Sequence, residues 1–495
     1  MNPESFLFVI IMKERYYNMK KLLSLLLSIT LILSSAAFSH TAFAAEWKSV
    51  IKDGVEYCYT VKDKAATITS TSPKKTSSKN SYKTISIPSK LGGYAVKTLA
   101  AHSTDCWENI VIPNSVETLE DASVGGYSTK TVKIGSGLKK INGDAFGGCN
   151  KLQSISVSSK NKNFTVYKNA LYSKGKTKIY KYPASKIPES YTVISSVKTI
   201  GDGAFAYSTK LKTLTIGKNV KTIHSNMLNC TTSITKFSVD KKNKYFSVKD
   251  GVLFNKKKTT LVLYPCAKSG LSYKIPKGVT KISSRAFRFA SKLGEVIFPS
   301  TLTEISSKAF QEAYKLKIAD LPSKLKKIGS NAFESTAITK LVAPSTLESI
   351  GSSAFENCKS LKSVDLSKSK LTKISNRTFC GNTKLNEIKL PKTLKTVLNN
   401  AFGDAAITSL DLPASVTKME EAFGGCYKLK SVTVRGMNTD ISNAGFYRTQ
   451  HIEYRDDEDM EGYTVYKYYI TITAKKGSKA EQFALDNGIE FTELT

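Results

Sequence analysis

The stretch Leu293-Gly-Glu-Val296-Ile-Phe298-Pro-Ser-Thr-Leu302-Thr-Glu-Ile305-Ser-Ser-Lys-Ala309-Phe310 decides the fold, because the chain says it again and again. Leu361, Val364, Leu366, Leu371, Ile374 and Phe379 spell another copy. The closing phenylalanines Phe287, Phe310, Phe333, Phe355, Phe379, Phe402 and Phe423 follow one another at intervals of 23, 23, 22, 24, 23 and 21 residues. A period in the twenties is the mark of a solenoid.

Each copy opens with Leu-x-x-Val/Ile-x-Leu/Ile/Phe, and apolar residues two apart belong to a strand with one face inward. Proline often follows, as at Pro299, Pro322, Pro344, Pro391 and Pro413. It has no N–H to give and so fits a strand end. Leu-x-x-Ile comes next, then x-x-x-Ala-Phe, which reads as a turn of helix whose Phe plugs the interior. One copy cannot bury its own apolar side chains, whereas stacked copies cover one another. Each such side chain contributes about 1.5–3 kcal/mol before chain entropy removes most of it, so copy number carries the stability.

The Leu-x-x-Val-x-Ile-Pro start and the Ile-Gly-x-x-Ala-Phe end resemble the leucine-rich repeat in its bacterial BspA-type form, over nearly all of the chain after residue 45. The resemblance implies an α+β repeat solenoid, a right-handed leucine-rich-repeat array with a parallel concave sheet. It also implies a secreted or surface protein, several members of the family being adhesins.

The expected organisation has four parts. Residues 1–44 read as a secretory signal, with basic Met19-Lys20-Lys21, apolar Leu22–Leu33 and the cleavage pattern Ala42-Phe43-Ala44; Met12 or Met19 would then be the true start. Residues 45–105 form a β-rich N-terminal cap, including a Lys- and Ser-rich loop over Pro73–Lys83. Repeats fill 106–450, with Val124, Phe146 and Leu228 in the Phe place of irregular copies. Residues 451–495 close the array as strand, helix and strand. There Ser478 and Glu481 make a capping box and Gly488 a stop. The acidic tip Asp456–Asp459 matches no EF-hand spacing and reads as a solvated turn.

Two 82-residue units stand in tandem within the array. Phe164, Val166, Leu171, Tyr172, Tyr182 and Pro183 return as Phe246, Val248, Leu253, Phe254, Tyr264 and Pro265. Each unit carries an insertion, near 158–196 and 240–276, that reads as a hairpin turning at Ser173–Lys176 or Asn255–Lys258. The hairpins either project and present Tyr and Lys, or lie along the array as an enlarged repeat.

Eight cysteines in an exported chain invite disulfides, but Cys149, Cys358 and Cys426 each fall three residues after a repeat Phe. Ser208, Ala290, Ala313, Thr336 and Ala405 hold that slot elsewhere. It is a small buried place, in which Cys acts as a small hydrophobe, and few or no disulfides are expected.

Catalysis needs convergent groups in a cleft. The four histidines, His40, His102, His224 and His451, lie far apart, and no metal, nucleophile or phosphate-loop motif is present. The chain therefore reads as a non-enzyme with no cofactor and no metal. The solenoid offers instead a stripe of strand residues that alternate with the core positions and face outward. These are Thr213 and Thr215, Lys236 and Ser238, Glu295 and Ile297, Asp320, Lys340 and Val342, Asp365, Lys389 and Asp411, together with Ser363, Glu387, Ser409, Ser431 and Thr433. Lysines cluster at what read as turn positions, among them Lys139, Lys140, Lys221, Lys281, Lys326, Lys327, Lys373 and Lys395. They would form basic edges, or simply keep the array soluble.

The 74 Lys+Arg against 40 Asp+Glu leave a net charge of +34, which favours anionic partners. Two functions follow. One is extracellular binding or adhesion to a protein or glycan through the concave face. The other is retention in the cell envelope, basic edges holding anionic wall polymers. No nucleic-acid partner is expected, for want of a base-stacking module. No transmembrane span is expected in the mature chain, and a monomer is expected.

Overall fold

A computed structural model describes residues 46–73, 83–317, 320–446, 449–453, 463–467 and 470–495. The signal-like segment, most of the Pro73–Lys83 tract and the acidic tip lie outside the described residues. Each regular repeat contributes two strands, one of three or four residues and one of two. The longer ones stack in parallel as a first row: Thr84–Ser86, Asn109–Ile112, Thr131–Ile134 and Ser154–Val157 pair in turn. So do Lys340–Val342, Ser363–Asp365 and Glu387–Lys389. The two-residue strands stack as a second row, for example Lys281–Ile282, Glu304–Ile305, Lys327–Ile328 and Ser349–Ile350. Parallel partners one repeat apart keep the register, so Leu341, Val364 and their counterparts stay inside in every coil.

The third side of each coil holds Ala-Phe, and here the structure corrects the helical reading. Among the described residues the only α-helix is Lys479–Asp486, and the only other helical piece is the 3₁₀ turn Ala184–Lys186. The array is a parallel β-solenoid rather than an α+β stack. The reason lies in where the backbone hydrogen bonds go. Residues two before and two after each Phe from Phe287 to Phe423 have positive φ, as at Arg285 and Phe289 (59° and 61°), Lys308 and Glu312 (59° and 62°), and Asn331 and Ser335 (56° and 58°). These left-handed residues turn alternate N–H groups toward the next coil. Arg285, Phe287 and Phe289 donate to the carbonyls of Ser307, Ala309 and Gln311 at 3.1, 2.7 and 3.2 Å. Lys308, Phe310 and Glu312 donate to Ser330, Ala332 and Glu334 at 2.8, 2.7 and 3.0 Å. An N–H bonded to the next coil cannot bond four residues back, so no helix forms.

The phenylalanines are fully buried and stack ring on ring. Successive centroids from Phe287 to Phe423 lie 4.6, 5.1, 5.2, 5.5, 5.3 and 5.3 Å apart, with interplanar angles of 3–17°. Tyr264 extends the ladder at one end (4.8 Å) and Phe446 at the other (5.6 Å). In the earlier coils Val124, Phe146 and Phe205 are buried. In the Leu228 coil the buried side chain is Met227, and Leu228 is only partly covered.

The insertions lie in the array. Phe164–Tyr167 and Ala170–Ser173 pair antiparallel, Ala170–Ser173 pairs antiparallel with Lys178–Lys181, and the last of these joins the second row against Thr199–Ile200. Phe246–Lys249, Val252–Asn255 and Thr260–Leu263 repeat the arrangement. A buried asparagine pins each insertion to the coil before it. Asn161 donates to the carbonyls of Gly135 (3.0 Å) and Leu138 (3.2 Å), and Asn243 to those of Gly217 (2.8 Å) and Val220 (3.0 Å). Lys174 and Lys256 fold back onto the carbonyls of Asn161 and Asn243.

At the C-terminal end Ser431–Val434, Thr471–Ala474 and Glu490–Glu493 continue the first row in parallel, so two strands follow the last one that shows the repeat pattern. The helix between them starts at Ser478, whose hydroxyl accepts from the N–H of Glu481 at 3.2 Å. The Glu481 carboxylate reaches the N–H of Gly477 rather than that of Ser478.

Candidate binding surface

The first row presents one face to the interior and one outward, because successive strand residues alternate. The expected stripe lies on the outward face. Leu214, Phe237, Val296, Leu341, Val364 and Leu410 are buried, while the residues on either side of each are exposed or half-exposed. Register aligns them in files. Thr213 faces Lys236 and Thr215 faces Ser238. Glu295 lies between Ser272 and Lys317. Lys340, Ser363 and Glu387 form one file, and Val342, Asp365 and Lys389 the next. Ser409 and Asp411 face Ser431 and Thr433. Asp320 is exposed and belongs to no strand. The row is broken into separate sheets where the insertions enter, again between Glu295–Ile297 and Lys340–Val342, and again between Glu387–Lys389 and Ser409–Leu412.

The three aspartates differ in their surroundings. Asp411 takes a two-pronged ion pair from Arg435, both contacts at 2.7 Å. Asp365 accepts from the hydroxyl and the N–H of Ser367 at 2.6 and 2.9 Å. Partial burial pushes its carboxyl up, and the Ser367 bonds outweigh this and hold it below the usual range. Glu387 pairs with Lys389 at 3.2 Å, and the Glu295 carboxylate accepts from Ser272 at 2.9 Å. Two apolar side chains stand exposed in the stripe, Ile297 and Val342.

The lysine reading changes in two respects. Lys140, Lys281, Lys327 and Lys373 sit in the two-residue strands of the second row, not in turns. Several are neutralised by glutamates one coil away: Lys97 and Lys139 by Glu117, Lys281 by Glu304, Lys326 by Glu348. Hydrogen bonds from Lys139 and Lys97 hold the Glu117 carboxyl low.

All eight cysteines are free thiols. In the slot three residues after Phe, the thiols of Cys149, Cys358 and Cys426 donate to the carbonyls of Val124, Phe333 and Phe402, each at 3.1 Å. Thr231 and Asn382 use the same slot to reach the carbonyls of Phe205 (2.7 Å) and Phe355 (3.0 Å). The position thus takes small side chains that are either inert or able to donate. Burial pushes the Cys358 thiol up to about 11 and those of Cys149 and Cys426 up to about 12. His102 meets Asp105 at 2.9 Å and His224 meets Asp202 at 3.5 Å, in different coils. Among the described residues no group of three or more His, Cys, Asp or Glu could hold a metal ion, and no helix is long and apolar enough to cross a membrane.

The model of the BspA type leucine rich repeat region matches residues 96–187, 177–260, 264–370 and 367–458. The chain belongs to that family. Among solved structures it resembles a leucine-rich repeat protein from Eubacterium ventriosum, at 19% identity over 76% of this chain and 95% of that one, with a TM-score of 0.42. A leucine rich cell surface protein from Faecalibacterium prausnitzii matches at 20% identity, 78% and 94% coverage and a TM-score of 0.33. A leucine-rich repeat protein from Bacteroides ovatus matches at 16% identity, 90% and 100% coverage and a TM-score of 0.38. No curated protein matches the chain. BspA-type repeat proteins are in general binding proteins of the bacterial surface rather than catalysts.

Sequence reasoning missed two members of the ring ladder. Tyr264 precedes Phe287 by 23 residues and Phe446 follows Phe423 by 23, so the spacing alone could have found both. It also missed a cleft beside Arg285 and Arg288.

Proposed function

We propose that this protein is a secreted or surface-associated adhesin-like binder that holds an extracellular protein or glycan on the outward face of its first strand row. The observation that carries the reading is the two exposed apolar residues, Ile297 and Val342, on neighbouring sheets of the row, each in a file of polar residues. An apolar centre with a polar rim is the composition of a recognition patch. Glu295, Lys340, Asp365 and Lys389 share the sheets of these two residues, Asp320 stands outside any strand, and Thr213, Thr215, Lys236, Ser238 and Asp411 extend the outward face on other sheets. Envelope retention through basic edges draws support from the net charge of +34. It is the weaker reading, because glutamates one coil away already pair with Lys139, Lys281 and Lys326 along the edge.

The test is binding of the purified protein to panels of extracellular-matrix proteins, glycans and teichoic acid. Saturable binding to a protein or glycan, weakened about tenfold or more by Ile297→Asp with Val342→Asp and unaffected by Lys395→Glu, supports the face. Binding to teichoic acid alone, abolished by salt, supports the alternative. Protein or glycan binding that survives the double substitution overturns the assignment.

A further inference from the structure

The two tandem 82-residue units part company at one junction. In each, the coil that carries the insertion returns to the first row by a shortened turn. Register sets Ile179 against Ile200 and Leu261 against Ile282; the steps from Ile179 to Ser190 and from Leu261 to Ser272 are eleven positions, against thirteen from Ile200 to Thr213 and from Ile282 to Glu295. The shortening opens a gap between the full Phe turns on either side.

In the first unit the gap is filled from within. Lys181 has no exposure, and its ammonium lies 3.3 Å from Asp144 and donates to the carbonyl of Gly203 at 3.0 Å. Residue 203 has to be glycine. Its φ is +57°, and a Cβ there would lie 1.9 Å from the Asp144 carboxyl.

In the second unit every part of this plug is replaced. Leu263 stands for Lys181, Asn226 for Asp144, Arg285 for Gly203 and Arg288 for Ala206. The internal ion pair is gone, and two guanidiniums stand at the mouth of a cleft floored by Leu228, Ile234, Phe237 and Leu263. The Nη1 of Arg285 reaches Ser225 at 3.2 Å, and among the described residues no carboxylate lies within ion-pair distance of Arg285. Arg288 meets Asn229 at 2.8 Å and Glu312 at 3.0 Å. The Nε of both arginines is buried without a hydrogen-bond partner, and so is the Oδ1 of Asn226. A buried N–H left unpaired is costly, and here two such donors carry positive charge. Lys308 adds a third cation; burial, then Arg285 and Arg288, lower its ammonium pKa. Glu312 and Glu334 face Lys308 and Asp202 faces Arg285 at longer range, but among the described residues only Glu312 makes an ion pair with the set. The cavity, about 30 Å³, has room for roughly two waters and so for a single oxyanion head rather than a sugar ring.

We propose that this cleft binds one tetrahedral oxyanion, a phosphate or sulfate group, between Arg285 and Arg288. Two guanidiniums arriving from separate points suit a group with several oxygens better than a carboxylate, which one guanidinium fork already satisfies. The group is either free anion or the ester of a larger molecule.

Calorimetric titration of the full chain with inorganic phosphate at low ionic strength tests the site, with acetate as comparison. Saturable one-to-one binding is expected, acetate binding more weakly. Arg285→Gln should weaken phosphate binding about tenfold or more, the loss of a charge-assisted contact. The triple change Asn226→Asp, Leu263→Lys and Arg285→Gly rebuilds the plug of the first unit and should abolish binding with the fold intact by circular dichroism. If that variant fails to fold, Arg285→Gln decides alone. Glycerol 3-phosphate binding as tightly as phosphate assigns the site to esters; binding of phosphate alone assigns it to the free anion. Non-saturating heats, or phosphate binding unchanged by Arg285→Gln, overturn the proposal.

Discussion

Removing one ring from the ladder tests how the array is held together. Phe355 has no exposure, and its ring stacks 5.2 Å from Phe333 and 5.5 Å from Phe379. Truncating a buried Phe to Ala costs about 3–5 kcal/mol, lost transfer energy and cavity together. Each of the two stacked neighbours adds about 0.5–1.5 kcal/mol beyond area, so Phe355→Ala should cost about 4–8 kcal/mol. Phe355→Leu keeps much of the volume and loses the stacking, so about 1.5–3 kcal/mol is expected. Urea denaturation followed by circular dichroism gives the totals. Because each coil touches only its neighbours, hydrogen exchange read by mass spectrometry should show the loss of protection centred on 333–379 and absent around 110–134. A double-mutant cycle with Phe379→Leu should give a coupling of about 0.5–1.5 kcal/mol. Tyr427→Ala, at an exposed aromatic, should stay within about 0.5 kcal/mol. A cost for Phe355→Ala below about 1 kcal/mol, or protection lost evenly along the chain, would refute the stacked-layer account.

Three further outcomes follow from the same geometry. Alkylation at pH 8 should reach Cys106, which is exposed, well before Cys149, Cys358 and Cys426; with its thiol at about 11, Cys358 is about a hundredfold poorer in thiolate than an ordinary cysteine even before access is counted, and mass spectrometry of native against urea-unfolded protein reads this directly. Lys181→Met leaves Asp144 buried without its partner and should cost about 3–5 kcal/mol at pH 7; burial already raises the Asp144 pKa despite Lys181, and a folded pKa above the unfolded one means stability lost as pH rises through it, so the variant should regain part of the deficit between pH 7 and 5, and an equal deficit at both pH values would contradict this. Ser352 and Ser353 should answer glycine with opposite signs, since only Ser353 has positive φ (57°): Ser353→Gly should be neutral to stabilising by up to about 1 kcal/mol and Ser352→Gly destabilising by about 0.5–1 kcal/mol in thermal melts.

The sequence made the solenoid legible because its strongest signal is periodic. Inward Leu, Val and Ile at fixed offsets and a Phe every 21–24 residues survive substitution elsewhere in the repeat. The outward stripe was legible for the same reason, since strand alternation assigns Lys340 and Val342 as soon as Leu341 is inside. The Ala-Phe segment misled because Ser-x-x-Ala-Phe also reads as a helix start. What decides against a helix is a pair of left-handed residues, and those positions hold Arg285, Lys308, Asn331 and Ser353, residue types that carry no common warning of positive φ. Tertiary hydrogen bonds to the next coil impose the conformation, and a single repeat read alone contains no trace of them.

The arginine cleft shows the limit from the other side. Ser225 and Arg285 are 60 residues apart and touch across the shortened coil that carries Leu263 and Cys266. No motif search joins them. Yet the duplication held the information. Aligning the two 82-residue units sets Lys181 against Leu263, Asp144 against Asn226 and Gly203 against Arg285, and these three differences have one physical sense. A lysine and an aspartate that neutralise each other in a buried gap can be lost only together, because either alone would leave an uncompensated buried charge. Once both are gone, the steric demand for glycine at 203 goes with them, since the carboxyl that a Cβ would strike is absent. An arginine can then occupy the equivalent position at 285. The second junction is therefore a consistent alternative solution to the same gap: the charge that the first unit closes internally, the second leaves facing a cleft, for a ligand to close.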